Sequence, residues 1–316
     1  MNTVLTARDL IDAQRAPLKL EWLAGKNGGD RLLEPATAKY PGLALVGHLN
    51  FVHPNRVQVV GSTEINYLSN LSAEKLKNAI NEIFGCKTTA VTVTADIAVP
   101  DELKQAAEAF DLPLIFSPLP SPVVIEHLQY YLTRALAPRV TEHGVYMEVM
   151  GMGVFITGES GIGKSELALE LLSRNHRLIA DDAVEFIKVG PDVLVGQCPE
   201  KTLSDYMEVR GLGIINVRDM FGETAVRHKK KLHLILRQER LEEQDLANID
   251  RLQAEQMTRT ILGVEIPEVI LYVAPGRNLA VLVEAATRAY ILRMWGMSSL
   301  EEFMKKQRAL LNRAKK

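Results

Sequence analysis

Gly158-Glu159-Ser160-Gly161-Ile162-Gly163-Lys164-Ser165 is the stretch on which the fold of this 316-residue chain turns. It satisfies G-x-x-x-x-G-K-[ST] at every fixed position. Glycines at that spacing let successive backbone N–H groups turn inward around phosphate oxygens with no Cβ in the way. A helix directly after the loop adds its N-terminal dipole and free N–H groups. Lys164 supplies a point charge for the outer phosphates, and Ser165 a hydroxyl for Mg²⁺. The flanks provide the context the motif requires. Val154-Phe155-Ile156-Thr157 reads as an apolar strand before it, and Leu167, Leu169, Leu171 and Leu172 mark a helix after it. The stretch predicts a strand, loop and helix that bind nucleotide phosphates through Gly158, Glu159, Ser160, Gly161, Ile162, Gly163, Lys164 and Ser165.

Downstream comes Arg177-Leu178-Ile179-Ala180-Asp181-Asp182. A strand–helix–strand unit is right-handed and parallel, so this strand ends on the same sheet edge as the loop. One carboxylate there suits Mg²⁺ or its water, and the other suits the proton of an attacking hydroxyl. Two strand-end aspartates also read as turn formers; the neighbouring phosphate loop favours the chemical reading. Upstream, Val145, Met147 and Val149 alternate with Tyr146 and Glu148, the pattern of a half-buried strand. A tight hairpin at Gly151-Met152-Gly153 would set His143 opposite Ser160 or Gly161, beside the phosphates. Glu208-Val209-Arg210-Gly211-Leu212-Gly213 places an acid and a guanidinium before a Gly-x-Gly hinge. Ile214, Val217 and Phe221 follow at helical spacing, with Gly222 as a stop. By itself this run is a capped turn, and Glu208 as a metal ligand is one reading of it.

The N-terminal portion alternates strand and helix patterns, as in a small α/β domain. Strands are expected at Gly42–Gly47, Val57–Val60, Ala90–Thr94 and Leu112–Phe116. Helices are expected after Thr6, from Ser72 to about Phe84, from Pro100 to Phe110 and over Val123–Ala137. Ala135–Arg139 reads as the junction, giving domains at 1–133 and 134–316. Net charge is −2, and no nucleic-acid motif accompanies the basic run Arg227-His228-Lys229-Lys230-Lys231, whose default reading is a solvated loop. Cys86 and Cys198 stand in no metal-like spacing, and no apolar run approaches the ~18 residues of a membrane span. A cytoplasmic protein that binds neither nucleic acid nor membrane is the expectation. Ser299–Lys316 reads as an amphipathic helix opened by a capping box.

Taken together, these segments resemble one family, the bacterial HPr kinase/phosphorylases. The match is carried by His143-Gly-Val-Tyr-Met-Glu-Val leading into Gly158–Ser165, by His176-Arg-Leu-Ile-Ala-Asp181-Asp182, and by Glu208-Val-Arg-Gly-Leu-Gly-Ile-Ile-Asn-Val217, which looks like the family's signature sequence with Glu208, Arg210, Gly211 and Gly213 in place. Ile249-Asp-Arg-Leu252 and Pro275-Gly-Arg-Asn-Leu279 also fit. The resemblance implies an α/β fold: a small N-terminal domain like the first domain of Mur-type ligases, and a C-terminal P-loop kinase domain with a mixed sheet. It implies phosphorylation by ATP, with Mg²⁺, of one serine on the phosphocarrier protein HPr or a paralogue. It also implies reversal by phosphorolysis, in which inorganic phosphate yields pyrophosphate. Matching positions suggest Ser165 and Glu208 for the metal, and His143, Lys164, Asp182 and Arg251 as catalytic residues. Tyr272, Val273, Ala274, Pro275, Gly276 and Arg277 would serve phosphorolysis; Tyr272 and Ala274 stand where familiar members have proline and a basic residue. A homo-hexamer whose C-terminal helix touches the protein substrate is implied as well. Two other readings stay open on the residues alone: a small-molecule P-loop kinase or carboxykinase-like enzyme, and a nucleotide-sensing regulator that contacts nucleic acid.

Overall fold

The computed structural model describes residues 5–33, 46–50, 55–85, 88–95, 98–240, 257–274, 276–297 and 305–306. The chain divides into two compact units, Met1–Ala137 and Pro138–Lys316.

The first unit is a three-layer α/β sandwich. Its strands are β1 (Glu21–Ala24), β2 (Val46–His48), β3 (Val57–Val60), β4 (Ala90–Thr94) and β5 (Leu114–Ser117), in the order β1-β5-β4-β3-β2. β2 to β5 run parallel and β1 joins β5 antiparallel. Parallel strands covered on both faces lose the apolar/polar alternation, and all four residues of β3 are buried. Helices α1 (Ala7–Leu18) and α5 (Ser121–Ala135) cover one face through Leu10, Ile11, Leu18, Val124, Leu128 and Leu132. Helices α2 (Ser62–Ser69), α3 (Ala73–Gly85) and α4 (Asp101–Ala109) cover the other. Thr6 caps α1 in a reciprocal box with Asp9, as its sequence predicts. The expected strand from Gly42 is described only from Val46 onward.

The second unit is built on a nine-stranded mixed sheet. Its strands are β6 (Arg139–His143), β7 (Val145–Val149), β8 (Met152–Gly158), β9 (Arg177–Ala180), β10 (Ala183–Gly190) and β11 (Val193–Gln197). A separate hairpin, β12 (Tyr206–Val209) and β13 (Gly213–Asn216), follows, and β14 (Lys229–Arg240), β15 (Met257–Ile261) and β16 (Val264–Val273) complete the sheet. The order is β6-β10-β11-β14-β8-β7-β9, with β16 against β14 and β15 against β16. β8, β14 and β16 are parallel. β9 is antiparallel to β7, as is β8, so β8 and β9 point the same way with β7 between them. One face packs on α6 (Lys164–Ser173) and α8 (Leu279–Met294), burying Leu167, Leu171 and Val283. A second core, with Tyr146, Phe155 and Phe186, fills the other face. There the Phe186 ring meets Tyr146 and Phe155 edge-on, at 5.5 and 5.1 Å between centroids.

Several local expectations are corrected. β7 is buried along its whole length, not half-buried, because Tyr146 lies in that second core and Glu148 is ion-paired to Arg177, Arg227 and Lys230. The hairpin turns at Met150-Gly151, one step before the expected Gly151-Met152-Gly153: both residues sit at positive φ, and Val149 pairs with Met152. Ile214 belongs to β13, and the helix α7 (Val217–Phe221) starts only at the Asn216 cap, ending at Gly222 as expected. The basic run is not a loop throughout, since Lys229–Lys231 pair with β11 as the start of β14. The tail from Ser299 lies outside the described residues apart from 305–306.

His233 sits at the irregularity in β14, where its Nδ1 accepts the Gly153 N–H at 3.0 Å. That bond places the ring proton on Nε2 and requires a neutral imidazole. Burial, followed by the charge of Lys231, lowers its pKa below the ordinary 6.5. The unfolded chain then takes up the proton first, so this contribution to stability is complete above about 6.5 and declines as pH falls through the folded value. Thermal melts of the wild type and His233→Gln should therefore converge as pH drops below about 6.5; parallel curves would remove His233 as the cause.

Candidate active site

The phosphate loop leaves β8 at Gly158 and enters α6 at Lys164, as the local pattern requires. Ile162 is buried beneath it. The Lys164 ammonium donates to the carbonyls of Gly158 at 3.0 Å and Glu159 at 2.8 Å. Gly158 lies at φ +145°, and a Cβ there would stand 2.6 Å from the Gln238 carbonyl oxygen of β14. A sheet backbone cannot yield that space. Gly158→Ala is expected to displace the loop and lower nucleotide turnover by about 100-fold with the fold retained; near-normal turnover with an intact circular-dichroism spectrum would contradict this.

The two aspartates reach the loop edge as expected, but they do different things. Asp181 directly follows β9 and reaches α6: its Oδ1 accepts the Ser165 hydroxyl at 3.2 Å, and its Oδ2 accepts the Glu208 N–H at 2.9 Å. It therefore ties the phosphate loop to the β12–β13 hairpin. Burial raises its pKa, opposed by the hydrogen bonds from Glu208 and Ser165. Asp182 is exposed and sits at φ +64°, at the centre of a three-residue turn closed by the Ala183 N–H on the Asp181 carbonyl at 2.8 Å. Backbone strain of this kind, about 1–3 kcal/mol, persists where its surroundings hold it, and it clusters at functional sites. Asp182 is therefore turned away from the contacts that engage Asp181.

His143 is brought to the same edge by a route the sequence argument missed. It does not face Ser160 or Gly161. β6 leaves the hairpin and pairs with β10, setting His143 opposite Ala183, next to Asp182. The Gly144 N–H donates to the Asp182 carbonyl at 3.0 Å, locking the two segments together. Arg210, in the connection of the hairpin, lies over the loop: a Cβ built on Gly161 would be 3.3 Å from its Nη1. Tyr272 and Val273 end β16, whose parallel register with β14 and β8 delivers Ala274, Gly276 and Arg277 to the same sheet edge. Arg251 and Pro275 lie outside the described residues.

The donor set suits a hard cation. The Ser165 hydroxyl and the Asp181 carboxylate, 3.2 Å apart, are oxygen groups that could hold such an ion, and Glu208, tied to Asp181 through its backbone N–H, carries a further carboxylate. Mg²⁺ characteristically takes one or two carboxylates together with phosphate oxygens and water, which does not demand a protein cage. Among the described residues no group of three or more His, Cys, Asp and Glu forms such a cage. No helix among them is long and apolar enough to cross a membrane.

Comparison with known proteins places these features in a family. Residues 134–307 match the family described as HPr Serine kinase C-terminal domain, and residues 5–132 the family described as HPr Serine kinase N terminus. The HPr kinase/phosphorylase of Xanthomonas campestris pv. campestris is 46% identical over 314 residues, 99% of either chain. That of Xylella fastidiosa is 45% identical over the same length. The solved structure of the Hpr(Ser) kinase/phosphatase from Coxiella burnetii is 37% identical, covering 52% of this chain and 98% of that chain, at a TM-score of 0.46. With both halves matched and identity sustained from end to end, this chain belongs to the HPr kinase/phosphorylase family.

Proposed function

We propose that the protein uses ATP to phosphorylate a serine of an HPr-type phosphocarrier and removes that phosphate by phosphorolysis. The observation that carries this reading is the Ser165–Asp181–Glu208 linkage beside the phosphate loop, with Asp182 exposed next to it, in a chain of this family. The loop amides and Lys164 hold the nucleotide phosphates. Ser165 and Glu208 offer oxygens to Mg²⁺, and Asp181 holds both in place. When bound, that ion neutralises charge developing on the phosphates.

Asp182 accepts the proton of the serine hydroxyl as its oxygen attacks the γ-phosphorus and the bond to ADP breaks. In reverse, an oxygen of inorganic phosphate attacks the phosphoserine phosphorus. The P–O bond to serine breaks, the serine oxygen regains its proton from Asp182, and pyrophosphate leaves. One carboxylate can serve both directions because microscopic reversibility requires the same group. His143 acts on the phosphates at this site; by their positions in the family's pattern, Arg251 takes a catalytic or phosphate-binding part and Tyr272–Arg277 serve the phosphorolytic step. Assembly as a cytoplasmic homo-hexamer belongs to the same proposal, and the mass in solution checks it.

The test is direct. The purified chain is mixed with Mg-ATP and an HPr-type carrier, and phosphate incorporation is read by mass. Inorganic phosphate is then added to the product. Serine phosphorylation followed by pyrophosphate release is the expected result. Phosphorylation without reversal would remove the phosphorolytic half. Absence of phosphorylation with ATP still bound would replace the protein acceptor by a small molecule.

A further inference from the structure

The β12–β13 hairpin has two faces of opposite character. Met207, Val209 and Ile215 point into the core shared with α6 and α8. Alternation along the strands puts Tyr206, Glu208 and Ile214 on the outer face. Ile214 is 76% exposed, Tyr206 42%, and Leu212 in the connecting loop 60%. Ile214 is also the direct cross-strand partner of Glu208, and Tyr206 is its diagonal neighbour. The Glu208 backbone is tied through Asp181 to Ser165. An apolar surface therefore flanks Glu208, which Asp181 links to Ser165 of the phosphate loop.

Exposed apolar side chains grouped beside a site mark contact with something else. A site that transfers phosphate to a side chain of a folded protein must admit the surface around that side chain. It must also exclude water, or hydrolysis competes with transfer. We infer that Tyr206, Leu212 and Ile214 form the docking surface for the protein substrate, and that what covers them is an apolar patch flanking the acceptor serine. This rests on the function proposed above. A second copy of this chain fits the face less well. Because Ile214 and Glu208 share it, a permanent partner would bury the carboxylate and close the approach to the loop, whereas a substrate covers it only during turnover.

The test uses the full chain with Mg-ATP and an HPr-type carrier. Ile214→Gln and Leu212→Ser remove apolar surface without adding charge near Glu208, and both positions are exposed, so the core is untouched. Each is expected to raise the KM for the carrier about ten-fold or more. The KM for ATP, kcat at saturating carrier and mass in solution should stay at wild-type values, and Ile214→Leu should keep the carrier KM near wild type. Unchanged carrier KM in both variants would overturn the docking surface while leaving the kinase reading intact. A changed mass would assign the face to a second copy and overturn it equally. If the wild type phosphorylates no carrier, the functional reading falls first and the docking surface with it.

Discussion

Lys164→Ala is expected to lower phosphate transfer by at least about 10³-fold in both directions, with the fold intact. The ammonium is the one full positive charge that the loop itself places among its backbone amides. Removing a single neutral donor from a preorganised site costs about 10²–10³ in rate, and a charge acting on charged oxygens is worth more. Lys164 contributes little to the fold. Its two hydrogen bonds go to carbonyls of the loop, so the expected stability loss is about 1 kcal/mol. Turnover of ATP with the carrier, and pyrophosphate formation from the phosphorylated carrier, should fall together. Retained turnover in either direction would contradict the role of the loop.

Asp182→Asn is expected to reduce phosphorylation and phosphorolysis by about 10²–10⁴-fold, the usual contribution of a general base. The substitution is a clean one. Asparagine accepts the left-handed backbone that Asp182 adopts, so the turn at φ +64° survives and only the proton acceptor is lost. ATP affinity, read by nucleotide titration, should stay within a few-fold of wild type. Asp181→Asn should do the reverse. An amide has one acceptor oxygen where the carboxylate uses two, so either the Glu208 N–H loses its acceptor or the Ser165 hydroxyl must turn to accept from the amide instead of donating. Its main effect is a raised KM for Mg-ATP. Equal losses of ATP affinity and turnover in Asp182→Asn would move that residue to a structural or metal-holding role.

Much of this was legible in the chain itself, because the signals concerned are local. The strand–loop–helix at Val154–Leu172 follows from an apolar run, a glycine spacing and a helical stripe. The cap at Thr6 needs only Asp9, three residues on. The parallel emergence of β8 and β9 follows from connection handedness, so the arrival of both aspartates at the loop was foreseeable. Other features depend on pairings that no short window contains. β7 looks half-buried because its alternation is genuine, yet a second layer covers its other face. His143 stands beside Asp182 because β6 pairs with β10, some forty residues further along. The hairpin partner inferred for it was wrong because the turn uses Met150, a residue seldom found at positive φ.

The sequence by itself thus determined the glycine-rich loop at Gly158–Ser165, the strand and helix that flank it and the sheet edge on which it stands, since backbone conformation and apolar periodicity are short-range properties. Only the tertiary structure told the two aspartates apart, one held by hydrogen bonds and the other exposed. Asp181 and Asp182 are chemically identical neighbours. They are distinguished by a strained turn that faces one toward Ser165 and exposes the other, and by a hairpin 27 residues away whose Glu208 N–H reaches back to hold the first.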